Sequence, residues 1–179
     1  IILAGGIGER LWPLSTKEVP KQFIPLSEGD SLFDLTLKRI KGSNLFKKPI
    51  IVTLKQFKEE VISSLKKNSL EPSLVVLEPI GKNTCPALLA AVTISLKKNG
   101  NETFITLPSD HHILSNTGFE KSCFKALSSS KSNHLTLFGV KPRYPSTQFG
   151  YMKISSEDSP SNVLEFIEKP DKKLATSIF

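Results

Sequence analysis

The sequence predicts an α/β protein whose sheet is mostly parallel and Rossmann-like, with helices on both of its faces. Short apolar runs, for example at residues 1–4 and 49–54, are typical of strands that are buried on both faces. Helical apolar patterns alternate with these runs, as the crossovers between parallel strands require. Glycines crowd the end of the first run, at the edge of the sheet where folds of this class bind ligands.

The predicted elements follow one another from that first strand. Ser31 and Asp34 form an S-x-x-D start signal for the first helix, in which Phe33, Leu37 and Ile40 keep helical spacing. Strands then follow at 49–54, 73–78, 103–108 and 134–140, separated by a helix with Phe57, Val61 and Leu65 on one face and by helices at 83–100 and 117–130.

The pattern changes after Lys141. Two short strands, GYMKI and VLEFIEKP, follow each other without a helix between them, which suits a lid or a sheet on the substrate side. The last residues, DKKLATSIF, are typical of a helix capped by Asp171. Because the chain starts inside a strand without an initiator methionine and stops inside this helix, we expect it to be incomplete at both ends, with its C-terminal part truncated.

Composition and charge argue against several classes of function. The 179 residues contain no run of about 18 apolar residues and no signal segment, which predicts a cytoplasmic protein that does not contact a membrane. The formal net charge of +7 lies partly at helix ends, as in Lys66–Lys67 and Lys97–Lys98, and no basic stripe indicates nucleic-acid binding. Cys85 and Cys123 form no metal or disulfide pattern, and the helical apolar stripe around Cys123 predicts a buried, reduced thiol.

The glycine turn matches neither of two common phosphate loops. The lysine and hydroxyl of a P-loop do not follow Gly5, Gly6 or Gly8, and Leu11 stands in place of the third glycine of the dinucleotide pattern. Close approach of the backbone to a phosphate is the functional interpretation of the turn, and a turn without a ligand is the alternative.

Other candidate site residues lie in loops or follow the ends of strands. Asp110 comes directly after an apolar run, where a carboxylate suits Mg²⁺ bound to nucleotide phosphates or else caps a turn. Lys21 lies in a long loop and either reaches a phosphate or stays at the surface. Glu168 and Lys169 are neighbours at a strand end interrupted by Pro170, so one side chain suits hydroxyls while the other suits a phosphate.

Six motifs together resemble those of one known family, the bacterial mannose-1-phosphate guanylyltransferases. They are LAGGIGERLWPLS, PKQF, EPIGKNTCPA, PSDHHI, FGVKPRYPSTQFGYMKI and FIEKPD, in the family's order over residues 1 to about 171. The resemblance implies a GT-A-like domain of the nucleotide-diphospho-sugar transferase fold. It also implies that GTP and mannose 1-phosphate give GDP-mannose and pyrophosphate by in-line attack, with Mg²⁺ as cofactor.

The same resemblance implies roles for individual residues. The residues implied to be catalytic are Arg10 on the triphosphate, Lys21 against phosphate charge and Asp110 as the metal ligand. The residues implied to bind substrate are Gly5, Gly6 and Gly8 at the triphosphate, Glu78 and Asn83 at the nucleotide, Gly150 and Glu168 at the sugar, and Lys169 at the sugar phosphate.

The sequence departs from the family pattern at three positions. Lys82 stands where the family has arginine, which weakens one loop contact, and Cys85 stands where it has alanine. Gln148 stands where the family has glycine, which crowds the sugar pocket and leaves the sugar open. The alternatives are therefore a nucleotidyltransferase for another hexose 1-phosphate or another base, and a catalytically silent homologue that binds a nucleotide sugar.

The implied organisation is a single nucleotidyltransferase domain over residues 1–179. Its nucleotide-binding half is expected at 1–140, and the start of its sugar-binding part at 141–179. The expected partners are GTP and mannose 1-phosphate, with no nucleic acid and no membrane, while a homo-oligomer is left open.

Overall fold

The computed structural model of the protein describes residues 1–6, 14–16, 19–26, 29–130, 134–158 and 160–179. These residues form two compact units, Ile1–Thr117 and Gly118–Phe179. The first unit carries a parallel sheet, and the second carries an antiparallel pair of strands.

The parallel sheet of the first unit confirms the predicted α/β class. Its strands are β1 (Ile2–Leu3), β2 (Ile50–Leu54), β3 (Leu74–Glu78) and β4 (Leu107–Pro108), in the order β3-β2-β1-β4. Ile2 of β1 lies opposite Ile51 on one side and Leu107 on the other. The central position of β1 matters for the site, because the glycine turn that follows it lies between the ends of its neighbours.

Helices cover this sheet. They are α1 (Leu32–Ile40), α2 (Lys58–Lys67) and α3 (Thr84–Asn99). All side chains of β2 are buried, and Ile50 and Val52 cluster with Ala87 and Ala91 of α3. The intervening side chains of β2 point to the opposite face and are buried as well, so both faces of the strand are covered.

The helix ends follow the predicted signals. Ser31 and Asp34 form a complete capping box at the start of α1. Lys66–Lys67 and Lys97–Lys98 lie in the last turns of α2 and α3, where cations complement the helix dipole. Gly100 follows α3 with φ of 75°, a conformation that glycine adopts without strain.

A buried carboxylate joins α1 to the end of α2. Asp34 is 3% exposed and accepts hydrogen bonds from Lys67 Nζ at 2.9 Å and Asn68 Nδ2 at 2.8 Å. Burial is the largest single effect on the pKa of Asp34 and raises it, but the hydrogen bonds from Ser31, Lys67 and Asn68 together hold the pKa below its ordinary value of 3.8.

The second unit contains the two predicted short strands, β5 (Tyr151–Ile154) and β6 (Val163–Ile167), which pair antiparallel, and α5 (Lys172–Ile178). A further helix, α4 (Asn116–Ser130), begins at the boundary of the units. The predicted cap of α5 is confirmed, because Asp171 Oδ1 accepts a hydrogen bond from the Leu174 N–H at 2.8 Å. Cys123 is a buried free thiol, and burial together with the Glu120 carboxylate raises its pKa to about 11.

One predicted strand is wrong. Residues 134–140 lie outside every described strand, with Leu135 98% and Val140 92% exposed. Within the described part of the chain no strand pairs with this segment, and an apolar run without a hydrogen-bonding neighbour does not form a strand. Searched over the described residues, no helix is long and apolar enough to cross a membrane.

Candidate active site

The candidate site of the first unit lies at the carboxyl edge of its parallel sheet. Gly5 and Gly6 follow β1, Asp110 follows β4, and Glu78 is the last residue of β3. Because β1 and β4 are adjacent, the glycine turn and the Asp110 turn leave the sheet side by side. The Ser109 N–H donates to the Leu3 carbonyl at 3.1 Å and joins the two turns at their bases.

Lys21 and Asp110 form an ion pair across this edge. The Lys21 side chain is 20% exposed and the Asp110 side chain 28% exposed, so both are partly withdrawn from water. Lys21 begins a 3₁₀ turn, Lys21–Phe23, whose Phe23 ring packs edge-on against Phe33 at 5.4 Å between centroids. Separate roles are predicted from the sequence for the lysine and the carboxylate, and the structure brings the two side chains together.

A buried arginine orients the Asp110 turn. Arg39 of α1 is 4% exposed, and its guanidinium donates to the His111 carbonyl at 3.1 Å. Burial lowers the pKa of Arg39, because the charged form is partly removed from water. His111 therefore contributes to the site through its backbone, and Arg39 fixes the direction in which the chain leaves Asp110.

The glycine turn approaches Glu78. A Cβ atom placed on Gly5 would lie 3.3 Å from Glu78 Oε2, a tight contact that glycine avoids. At Gly6 the same atom would meet no described atom within 4 Å, so space is open beside the backbone there. Burial raises the pKa of the half-buried Glu78. The predicted site residues Gly8 and Arg10 lie outside the described residues.

Asn83 holds a backbone conformation that is usual only for glycine. It precedes α3 with φ of 66° and ψ of −173°, and its exposed side chain makes no capping hydrogen bond with a described N–H. Among the described residues, the other non-glycine positions with positive φ are Ser69 and Lys169. Strain of this kind is common at ligand sites, and two of these three positions are candidate site residues.

A second cluster of candidate residues lies within the second unit. A Cβ atom on Gly150 would lie 2.5 Å from Phe166 Cζ and 2.9 Å from Glu168 Oε2, so Gly150 and Glu168 are close neighbours. Lys169 Nζ lies 3.4 Å from Glu168 Oε1, and both side chains are 60% exposed. Because β6 ends at Ile167 and Lys169 has φ of 43°, the strand alternation that would separate these two side chains does not extend to them.

A tyrosine for which the sequence predicts no role shapes the loop before β5. The Tyr151 hydroxyl accepts a hydrogen bond from the Ser146 N–H at 2.7 Å and donates to the Ser146 carbonyl at 3.1 Å. Both hydrogen bonds of the Tyr151 hydroxyl are therefore made to the backbone of Ser146. No role was predicted for Gln22 or Arg39, because their contacts join residues that are far apart in the sequence.

In the described part of the chain, no three His, Cys, Asp or Glu side chains cluster as a preformed metal centre. At this edge of the sheet the described residues supply the Asp110 carboxylate after β4 and the Glu78 carboxylate at the end of β3. The carboxylate oxygens of Asp110 are hard ligands that suit a cation such as Mg²⁺. Such a cation typically binds one or two protein carboxylates and completes its coordination shell with phosphates and water.

Comparison with known proteins finds similarity over nearly the whole chain. The chain is 35% identical to the alginate biosynthesis protein AlgA of Pseudomonas aeruginosa, over 98% of this chain and 37% of that protein. It is 37% identical to a mannose-1-phosphate guanylyltransferase of Salmonella montevideo, over 99% of this chain and 39% of that protein. The chain thus spans little more than a third of the length of these curated relatives.

Solved structures show the same fold. A crystal structure described as mannose-1-phosphate geranyltransferase from Thermus thermophilus superimposes with a TM-score of 0.84 at 29% identity, covering 98% of this chain and 51% of that one. A structure described as mannose-6-phosphate isomerase from Helicobacter pylori superimposes with a TM-score of 0.79, also at 29% identity, covering 99% of this chain and 62% of that one. The model of the nucleotidyl transferase family matches residues 1–179, and the chain therefore belongs to that family.

Proposed function

We propose that the protein makes GDP-mannose and pyrophosphate from GTP and mannose 1-phosphate. The observation that carries this proposal is the Lys21–Asp110 pair beside the glycine turn, at the edge where parallel α/β sheets bind ligands. The names of the guanylyltransferase relatives support the choice of nucleotide and sugar.

The proposed reaction needs electrostatic stabilisation rather than a base. An oxygen of the sugar phosphate attacks the α-phosphorus of GTP, and the bond from that phosphorus to the bridging oxygen breaks as pyrophosphate leaves with the electron pair. The nucleophile is already an anion, so no proton has to be removed. The protein's task is to hold two polyanions in line and to neutralise the leaving group.

The Lys21–Asp110 pair fits this task. In the free protein the ammonium and the carboxylate neutralise each other, so neither stands as an isolated charge in a partly buried site. When nucleotide binds, Lys21 turns to its phosphates and Asp110 becomes available as a cation ligand. Mg²⁺, when bound at Asp110, supplies charge neutralisation on the phosphates.

The remaining candidates divide between the substrates. Gly5 and Gly6, with the predicted Gly8 and Arg10, bind the triphosphate, and Glu78 and Asn83 bind the rest of the nucleotide. Gly150 and Glu168 bind the sugar, and Lys169 binds its phosphate. The cytoplasmic location and the division of the domain at residue 140 stay predictions, and the oligomeric state is left open.

The test is pyrophosphate release by the full-length protein over a grid of nucleoside triphosphates and sugar 1-phosphates, with and without Mg²⁺. We expect release only with all three components, fastest for GTP with mannose 1-phosphate. Asp110→Asn should lower kcat by about 100-fold or more. Lys48→Met, which breaks the exposed Lys48–Glu71 ion pair, is the matched control and should leave kcat unchanged.

Each alternative has its own outcome in this grid. Equal release without any sugar phosphate would identify a simple nucleotidase and refute the proposal. A different preferred sugar or base would correct the substrate, and nucleotide-sugar binding without release would identify a silent homologue.

Selection of the base is assigned to Glu78. The pairing edge of guanine offers two donors, N1–H and N2–H₂, and a carboxylate accepts both. Glu78→Gln keeps the shape but replaces one acceptor with a donor, which should cost about 1–3 kcal/mol of preference for guanine. An unchanged ratio of kcat/KM for GTP over ATP would exclude Glu78 as the base-reading residue.

A further inference from the structure

We infer that Gln22 is a positioning residue for the nucleotide triphosphate, acting through the backbone of the glycine turn. This inference rests on the proposed function. It concerns a side chain that is buried below the site and that the substrate does not touch.

The carboxamide of Gln22 holds two carbonyls of the turn. Gln22 is 2% exposed, and its Nε2 donates to the Ala4 carbonyl at 3.1 Å and to the Gly6 carbonyl at 2.7 Å. A carboxamide nitrogen carries two hydrogens, so both are used. The Ala4 carbonyl also accepts from Thr53 Oγ1 at 3.0 Å, while the Ala4 N–H donates to the Val52 carbonyl at 2.7 Å.

These bonds decide which backbone groups face a ligand. In a trans peptide unit the C=O and the following N–H point in opposite directions. With the Ala4 carbonyl drawn toward Gln22 and Thr53, the Gly5 N–H must point away from them. A rotated peptide unit would instead present a carbonyl oxygen, which repels an anion, whereas successive N–H groups attract one.

The position of Gln22 in the chain links both parts of the site. Lys21, its neighbour, pairs with Asp110, and Phe23 anchors the same 3₁₀ turn against Phe33. This short 3₁₀ turn therefore places the Lys21 ammonium beside Asp110 and also orients the backbone of the glycine turn.

The chain contains a natural control for this residue. Lys55–Phe57 repeats the tripeptide Lys-Gln-Phe in a second 3₁₀ turn, and its Phe57 is buried like an anchor. In this second turn, however, the glutamine, Gln56, is exposed. A substitution at Gln56 thus changes the same residue type in the same kind of turn, at an exposed position.

The experiment compares Gln22→Met and Gln56→Met in the full-length protein. Methionine has a similar length and lacks the donors. Calorimetry would measure the Kd of inorganic tripolyphosphate with Mg²⁺ and, separately, of mannose 1-phosphate, at a temperature where thermal melts show every variant folded. For Gln22→Met we expect the Kd of tripolyphosphate to rise about tenfold and that of mannose 1-phosphate to change less than about twofold. Gln56→Met should change neither.

Hydrogen exchange of the free protein provides a readout that needs no ligand. Exchange at the Ala4 amide, which donates to the Val52 carbonyl, should become faster in Gln22→Met, and exchange at Val76 in β3 should not change. Gln22→Glu, which keeps the shape and cannot donate when ionised, should weaken tripolyphosphate binding at least as much.

Any of four results would overturn the inference. If Gln22→Met leaves the Kd of tripolyphosphate unchanged and the original protein binds it normally, the positioning role of Gln22 is excluded. The proposed function is unaffected by that result. Equal weakening of both ligands, or loss of folding in both Gln22 variants, would assign Gln22 to stability only. Failure of the original protein to bind tripolyphosphate or mannose 1-phosphate would instead refute the proposed function, and this inference with it.

Discussion

We expect Asn83 to lower the stability of the protein and to strengthen substrate binding, and the substitution Asn83→Gly should separate these two effects. A non-glycine residue with φ of 66° and ψ of −173° carries backbone strain of about 1–3 kcal/mol. Glycine removes that strain. Because the Asn83 side chain makes no capping hydrogen bond with a described N–H, glycine loses no cap there.

The opposing term is the conformational entropy of the unfolded chain. Glycine costs about 0.5–1 kcal/mol through that entropy, so the net gain in the free energy of unfolding should be about 1 kcal/mol. For a domain of this size, that gain corresponds to a Tm higher by about 2–4 °C. Loss of the side-chain amide should meanwhile raise the KM for GTP about tenfold, the effect of one lost hydrogen bond.

Thermal melts and steady-state kinetics of the full-length protein would measure both effects, with Ser69→Gly as the control. Ser69 has φ of 47° after α2, where its N–H donates to the Lys66 carbonyl and the Leu70 N–H donates to the Leu65 carbonyl, each at 3.0 Å. This is the position that glycine normally occupies at a helix end. Ser69→Gly should therefore raise Tm similarly without affecting KM. A lower Tm in Asn83→Gly beside a higher Tm in Ser69→Gly would refute the strain argument, and an unchanged KM would refute the contact with nucleotide.

Three further substitutions test the surroundings of the site. Arg39→Met removes the donor to the His111 carbonyl, and urea denaturation should show the free energy of unfolding lower by about 1–3 kcal/mol; no change would show that the bond is dispensable. Although burial opposes ionisation of Asp34, its hydrogen bonds keep its pKa below 3.8. The stability that the ionised Asp34 contributes is therefore complete above pH 3.8 and is lost as the pH falls through the folded-state pKa. The urea midpoint of Asp34→Asn should consequently fall less on acidification than that of the original protein, and an equal fall would contradict this. Gly150→Ala places a Cβ 2.5 Å from Phe166 Cζ, so the ring must move. We expect the free energy of unfolding to fall by about 1–3 kcal/mol. The KM for mannose 1-phosphate should rise, and the KM for GTP should not. A rise in both KM values would indicate general damage.

The sequence predicted those parts of the fold that local patterns decide. The capping box at Ser31, the apolar face of α1 and the end of α3 at Gly100 depend on residues a few positions apart, and all are confirmed. Residues 134–140 were predicted wrongly because a strand requires a partner that an apolar pattern does not supply. The Arg39–His111 bond joins residues 72 positions apart, so no local spacing indicates it.

In the site too, local patterns predicted the positions of some residues, whereas contacts that depend on the tertiary fold were not predicted. The sequence placed Gly5, Glu78 and Asp110 at strand ends, and because the strands are parallel this places them on one edge. The pairing of Lys21 with Asp110 and the contact of Gln22 with Ala4 depend on how the intervening loop returns to the sheet. The spacing of these residues carries no information about that return path.

The two buried polar side chains beneath the site have a common physical logic. Their partners are backbone carbonyls, which no substitution removes, so an apolar side chain at either position would take a hydrogen bond away from a carbonyl of the turn. Each donates to a backbone carbonyl in a turn that follows a strand of the parallel sheet, Gln22 after β1 and Arg39 after the neighbouring β4. A carbonyl held from below cannot rotate toward the ligand side. Because both donors come from the stretch between the glycine turn and the end of α1, this one segment sets the backbone on both sides of the Lys21–Asp110 pair.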